Sequence, residues 1–179
     1  MGKKRNIYSE GRQNINYELL KGMLKKKMNI EELRKSLTPV EKGKMLEKCV
    51  HYFIHNKMKR EDTPNPFNGY TGVMGRGIDN IIYLKDEKIA VECKNNAKTT
   101  YYSNKDIDKQ FVEYFKPYYG KAKLVLLIAH NTLAYQGLEK LKEMGVIIIE
   151  LGFQILDEKT FRKAIHALYH SKLYHLLKR

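Results

Sequence analysis

The segment 77–94 constrains this chain most. Two apolar, β-branched runs, 78–84 and 88–91, flank the charged corner Lys85-Asp86-Glu87-Lys88. That is the pattern of two antiparallel strands joined by a tight turn. An even-length loop with Lys85 opposite Lys88 sets Asp79 opposite Lys94 and Ile81 opposite Glu92. Opposed residues share a face and alternate residues return to it, so Asp79, Glu92 and Lys94 converge, while Ile82, Leu84, Ile89 and Val91 line the other side. A slip of one residue would send these side chains to the wrong faces.

Neighbouring carboxylates repel, and a hard divalent cation between them relieves the repulsion while keeping several of its waters. An amine beside such an ion can orient one of those waters. The pattern Asp79, spacer, Glu92-x-Lys94 resembles the PD-(D/E)xK nuclease superfamily, which includes restriction endonucleases and archaeal Holliday-junction resolvases. Ile78 stands where the motif's name has Pro, and Gly77-Ile78-Asp79 is similar to the Gly-x-Asp approach of many members.

The chain contains 34 Lys and Arg against 20 Asp and Glu, a formal charge of +14. An excess of this size favours a polyanionic partner, with DNA or RNA foremost, although a generally Lys-rich surface gives the same count. The 179 residues and 42% apolar content provide for one domain with a real core and exclude wholesale disorder. Runs such as 124–129 and 146–149 are too short to cross a bilayer, no basic helix with a continuous apolar face suits a membrane surface, and the start of the chain lacks a secretory signal. Cys49 and Cys93 are the only cysteines and form no CxxC pair, which suits a reducing cytoplasm and argues against a zinc module.

Along the chain, residues 1–15 read as a basic arm, followed by two short helices at 17–27 and 30–37, the second started by Asn29 with Glu32 as a capping box. The pair has the form of a helix-turn-helix or of a packing appendage; Glu31 and Glu32 open its second helix with the wrong charge for phosphates. Thr38-Pro39-Val40-Glu41 marks the boundary between this appendage, 1–37, and the main domain, 38–179. The helix it starts runs to about Lys57 with Met45, Leu46, Cys49, Val50, Phe53 and Ile54 inward. His51 and His55 have zinc-protease spacing, but Tyr52 occupies the place of the needed Glu.

A polar stretch rich in Gly and Pro follows, with a first strand at 67–74; it contains no GK[ST], so no nucleotide cofactor is expected. Arg76, beside Gly75 and Gly77, is placed to meet a phosphate. Lys98, Tyr101 and Tyr102 in the loop after Lys94 suit phosphate contact and base stacking, or simple packing. A helix begins near Ser103 and stops at Pro117. The remainder alternates: strand 123–130, helix 132–144 closed by Gly145, strand 146–151 and a final helix 158–177, so the later strands are expected to be parallel. His130 ends its strand, and His166, His170 and His175 lie on the last helix.

The order of elements over about 39–151 resembles that of the same superfamily. The resemblance implies an α/β, restriction-endonuclease-like core, a central mixed sheet flanked by helices, with the small helical N-terminal appendage. It implies Mg²⁺ or Mn²⁺ held by Asp79, Glu92 and the backbone carbonyl of Cys93, with Lys94 positioning water or neutralising charge. Glu47, on the first core helix, matches a Glu that often reaches the metal in such proteins; its alternative is a solvated helix charge. Gln110-x-x-x-Tyr114 resembles the QxxxY element of recombination nucleases, where the Gln supports the site. The implied activity is that of a metal-dependent DNA endonuclease, cytoplasmic and homodimeric, acting on duplex or branched DNA: junction resolvase, restriction enzyme or mobile-element enzyme. A non-catalytic nucleic-acid-binding protein that retains the fold and an RNA-processing ribonuclease are the alternatives.

Overall fold

The computed structural model describes residues 39–54, 58 and 78–178. The expected arm and appendage, Thr38, His55, the strand at 67–74 and Arg76 lie outside the described residues.

The hairpin forms, with β1 at Asn80–Tyr83 and β2 at Lys88–Lys94. Its register differs from the expected one by two residues. Tyr83 pairs with Lys88, Ile81 with Ala90 and Asn80 with Val91. The cause lies in the turn: Leu84 N donates to Glu87 O at 2.9 Å, which leaves Lys85 and Asp86 at the tip. An even slip exchanges partners but keeps faces. Extended by one residue, this register sets Asp79 opposite Glu92 rather than Lys94, while Ile82, Ile89 and Val91 still share a buried cluster with Leu84 packed against it.

β2 pairs in parallel with β3 (Lys123–Ile128), and β3 in parallel with β4 (Ile147–Glu150). Among the described residues this makes a mixed four-stranded sheet in the order β1-β2-β3-β4. Continuous apolar runs such as Leu124-Val125-Leu126-Leu127-Ile128 suit it, because β3 is covered on both faces.

One face is covered by α1 (Pro39–Tyr52) and the C-terminal helices, α5 (Glu158–Tyr169) and α6 (Lys172–Leu177). The expected inward stripe of α1, from Met45 to Ile54, is buried there. The single final helix read from the sequence is instead broken at Ser171, whose Oγ donates to Leu168 O at 2.7 Å. A hydroxyl that caps the preceding turn competes with helix continuation, and the break turns Leu173, Leu176 and Leu177 into the core.

The opposite face carries the crossover from β2 to β3. It consists of α2 (Asn104–Ile107), a π-helical segment at Asp108–Val112, α3 (Glu113–Phe115) and a 3₁₀ turn at Lys116–Tyr118. Ser103 and Asp106 form a reciprocal capping box at its start. α4 (Tyr135–Glu143) packs beside it. Gly137 permits that contact, since a Cβ there would lie 2.4 Å from Ile107 Cδ1. α4 starts later than the sequence suggests because 132–134 are engaged elsewhere: Tyr102 N donates to Thr132 O and Ala134 N to Tyr102 O, each at 2.9 Å. The result is an α/β sandwich of helices, mixed sheet and helices. No described helix is long and apolar enough to cross a membrane.

Candidate active site at the carboxyl end of β2

Period-two alternation along β2 puts Glu92 and Lys94 on one face, and they meet: Lys94 Nζ lies 2.5 Å from Glu92 Oε1. Glu92 is 1% exposed, and its second oxygen, Oε2, is buried without a hydrogen-bond partner among the described residues. Asp79 approaches from the start of β1 and accepts a 2.7 Å hydrogen bond from the Cys93 amide on Oδ2. Lys94 O accepts from Ala129 N, on the β3 side. Backbone groups alternate along a strand, so those of Cys93 face the β1 side, beyond the last pair, Asn80 with Val91. The Cys93 carbonyl therefore lies on the edge that Asp79 occupies.

α1 brings Glu47 within electrostatic reach of Asp79 and Lys94 from the other layer. Burial pushes the Glu47 carboxyl up from 4.5 to about 7, with the charge of Asp79 adding to the rise and Lys44, Lys94 and Lys48 opposing it. Glu92 rises from 4.5 to about 8, first through burial, then through Asp79 and, against the pull of Lys94, Glu47. Asp79 is raised too by burial, although Lys94 and the Cys93 amide hold it down in part. Burial alone would lower Lys94, but Glu92 and Asp79 outweigh it and keep the ammonium charged beyond the ordinary range. A buried Glu92 and the half-buried Asp79 and Glu47 thus act on one another electrostatically, with the half-buried Lys94 against Glu92. Either protons or an added cation must take up the excess negative charge.

The helical crossover forms a wall beside Lys94. Its Nζ lies 5.7 Å from the centre of the Phe111 ring and 5.8 Å from that of Tyr114, within cation–π range. Tyr102 packs edge-on against Phe111 at 5.3 Å, and burial raises its hydroxyl while Lys94 pulls the other way. Of the QxxxY pair, Tyr114 is thus brought to the cluster. Gln110 is half-buried on the π-helical segment, and among the described residues it makes no hydrogen bond to Asp79, Glu92 or Lys94. Lys98 and Tyr101 are exposed and Tyr102 is half-buried. His130 is fixed by its backbone to Asn96 rather than through its ring.

Sequence reasoning missed four contributors. Lys44 stands one turn before Glu47 on α1 and draws down the carboxyl groups of both Glu47 and Asp79; the i,i+3 spacing was its only signal. Phe111 belongs to the core and also serves Lys94. Asn95 and Asn96 anchor the end of β2. Asn95 Nδ2 donates to Lys42 O at 2.6 Å and Ile155 O at 2.8 Å, and its Oδ1 accepts from Ile155 N at 2.8 Å. Asn96 Nδ2 donates to His130 O and Thr132 Oγ1, each at 2.9 Å. Two consecutive asparagines directly after a buried strand were the available sign.

Among the described residues, no group of three or more His, Cys, Asp and Glu side chains is gathered closely enough to hold a metal ion as the chain stands. Lys94 occupies one oxygen of Glu92 and the Cys93 amide one of Asp79. The remaining donors are hard oxygens, the type that suits Mg²⁺ or Mn²⁺, and Glu92 Oε2 is a buried acceptor without a donor among the described residues. Comparison with known protein families finds no match for this chain, and comparison with curated proteins and with solved structures finds none either. What fold and site define together is an α/β protein with a mixed open sheet and, at the carboxyl end of a central strand, a buried Glu92 paired with Lys94 beside Asp79.

Proposed function

We propose that this chain is a metal-dependent nuclease with a restriction-endonuclease-like core, hydrolysing phosphodiester bonds in DNA. The observation that carries the reading is the meeting of Glu92 and Lys94 at the end of β2, with Asp79 on the Cys93 amide beside them and one Glu92 oxygen without a partner among the described residues; burial raises the carboxyls of Glu92 and of Glu47, which lies within electrostatic reach. Perturbed carboxyl groups of this kind cluster where chemistry is done. Asp79, Glu92, the Cys93 carbonyl and Glu47 would hold Mg²⁺ or Mn²⁺. When bound, the ion polarises the phosphate and lowers the pKa of a water. Lys94 stays protonated between Glu92 and the aromatic wall, which fits it to neutralise charge growing on the phosphate oxygens rather than to take a proton. The chain's positive charge would supply affinity that falls steeply with salt.

The test is a cleavage panel of plasmid, linear duplex, four-way junction, single strands and RNA, with Mg²⁺, Mn²⁺ or EDTA. Cutting of DNA with either metal and none in EDTA is expected, and Asp79→Ala and Glu92→Ala should each abolish it while leaving binding nearly intact. Variants that cut like the parent would remove these residues from the site. Salt-sensitive binding indifferent to metal, with no cleavage, would mark a binding protein instead, and cleavage that requires the 2′-hydroxyl would mark a ribonuclease.

A further inference from the structure

Two of the most exposed aromatic side chains, Tyr101 at 68% and Tyr135 at 76%, stand on segments that the fold ties together beside the candidate site. Tyr101 is in the loop that leaves β2, and Tyr135 follows the loop that leaves β3. The loops pair through a parallel bridge between Tyr102 and Leu133 and through the hydrogen bonds from Tyr102 N to Thr132 O and from Ala134 N to Tyr102 O. Asn104 locks the next turn, donating from Nδ2 to Gln136 Oε1 at 2.7 Å and accepting from Gly137 N at 3.0 Å. Asn96 ties the same structure back to β2 by donating to Thr132 Oγ1. Each loop sends one side chain inward, Tyr102 onto Phe111 and Leu133 into the core, and leaves a tyrosine ring in water nearby.

A tyrosine ring held in solvent on a braced backbone gives up hydrophobic burial without mobility as the reason. The rim sits outside the carboxyl ends of β2 and β3, the end of the sheet that carries Glu92 and Lys94. Its surroundings are basic: Lys98, Lys105 and Lys109 are exposed, whereas the nearby Asp108 is neutralised by Lys140 at 2.5 Å and Asp106 is engaged in capping Ser103. Exposed aromatic faces among lysines are the general means of holding unpaired bases, which present π-faces that a duplex hides.

We propose that Tyr101 and Tyr135 form a stacking rim for unpaired bases, so that the substrate contains single-stranded nucleic acid next to the scissile phosphate, as in tailed or branched DNA. This rests on the nuclease reading for the position of the phosphate, but its binding half is independent of cleavage. Tyr119, 57% exposed just ahead of β3 and hence at the opposite end of the sheet, serves as the control.

The experiment is fluorescence anisotropy in EDTA with labelled oligothymidylate, oligouridylate, a blunt duplex and a duplex with a single-stranded tail, at one fixed salt concentration. The parent should bind the single strands and the tailed duplex more tightly than the blunt duplex. Tyr101→Ala combined with Tyr135→Ala should weaken single-strand binding about tenfold or more, the scale of losing stacked bases. Blunt-duplex affinity should hold, Tyr→Phe at both positions should restore binding, and Tyr119→Ala should change nothing. Preference for thymidylate over uridylate assigns the rim to DNA, and the reverse assigns it to RNA. Equal affinity of the parent for blunt duplex and single strands, or an alanine pair that binds single strands like the parent, overturns the proposal. A failure of the nuclease reading shows separately, as loss of metal-dependent cleavage with these binding differences intact.

Discussion

Positions 92–94 and 95–96 of the same chain segment treat buried polarity in opposite ways. Asn95 and Asn96, 7% and 8% exposed, have donors and acceptors that all find partners, and they pin β2 to α1 and to the loops after β3 and β4. Glu92, deeper still, keeps an oxygen without a donor among the described residues and lies within electrostatic reach of Asp79 and Glu47. A fold that satisfies its polar atoms at 95 and 96 does not leave those at 92 unsatisfied for want of means. Buried groups left in this state cost stability and cluster at functional sites. The asparagines are the frame and the carboxyl cluster is what the frame holds.

Substitutions on the two sides should therefore separate stability from activity. The largest effect is expected from Glu92→Gln, which should lower metal-dependent cleavage by a factor on the order of 10³, the scale of losing one preorganised electrostatic group, while thermal melting in EDTA near pH 8 shows no loss of stability. Asn95→Ala should do the reverse. It strands Lys42 O, Ile155 O and Ile155 N, so denaturant unfolding should show a loss of about 3 kcal/mol. Its remaining folded fraction should still cut. A Glu92→Gln protein as unstable as Asn95→Ala would erase the distinction.

The pH dependence sharpens it further. Glu47 and Glu92 hold their protons more tightly folded than unfolded, up to about 7 and about 8 against 4.5. Their contribution to stability is therefore fully present below 4.5 and is lost as pH rises through 7 and then 8. Melting temperatures in EDTA should fall across that window. Glu47→Gln should flatten its lower part, whereas Asn96→Ala should lower the whole curve, by about 1 kcal/mol, without changing its shape. A profile that is flat from pH 5 to 8 in the parent would contradict the burial of these carboxyl groups.

Faces were more legible in the sequence than partners. Alternation at Ile82, Ile89 and Val91 put the right residues in the core, because period two survives an even slip. The register itself was not readable, since Lys85-Asp86-Glu87-Lys88 contains no glycine or asparagine to choose a turn. The apolar period of α5 continues through Ser171 into α6, so only the hydroxyl's bond to Leu168 O reveals the break. Asp79, Glu92 and Lys94 could be brought together from spacing alone. Lys44, Phe111 and the pairing of Tyr102 with Thr132 could not, because they depend on how separate layers meet. The same holds for the inward turn of Tyr102 beside the outward Tyr101.

The central claim is that Asp79 and Glu92 hold a divalent ion, which displaces the proton that Glu92 otherwise retains. Calorimetric titration of Mn²⁺ into the protein near pH 7, repeated in two buffers of different ionisation enthalpy, tests it most directly. The account predicts saturable binding with release of about one proton per ion, and loss of both in the Asp79→Asn, Glu92→Gln double variant. Binding of equal strength in that variant, or no binding by the parent, would contradict it.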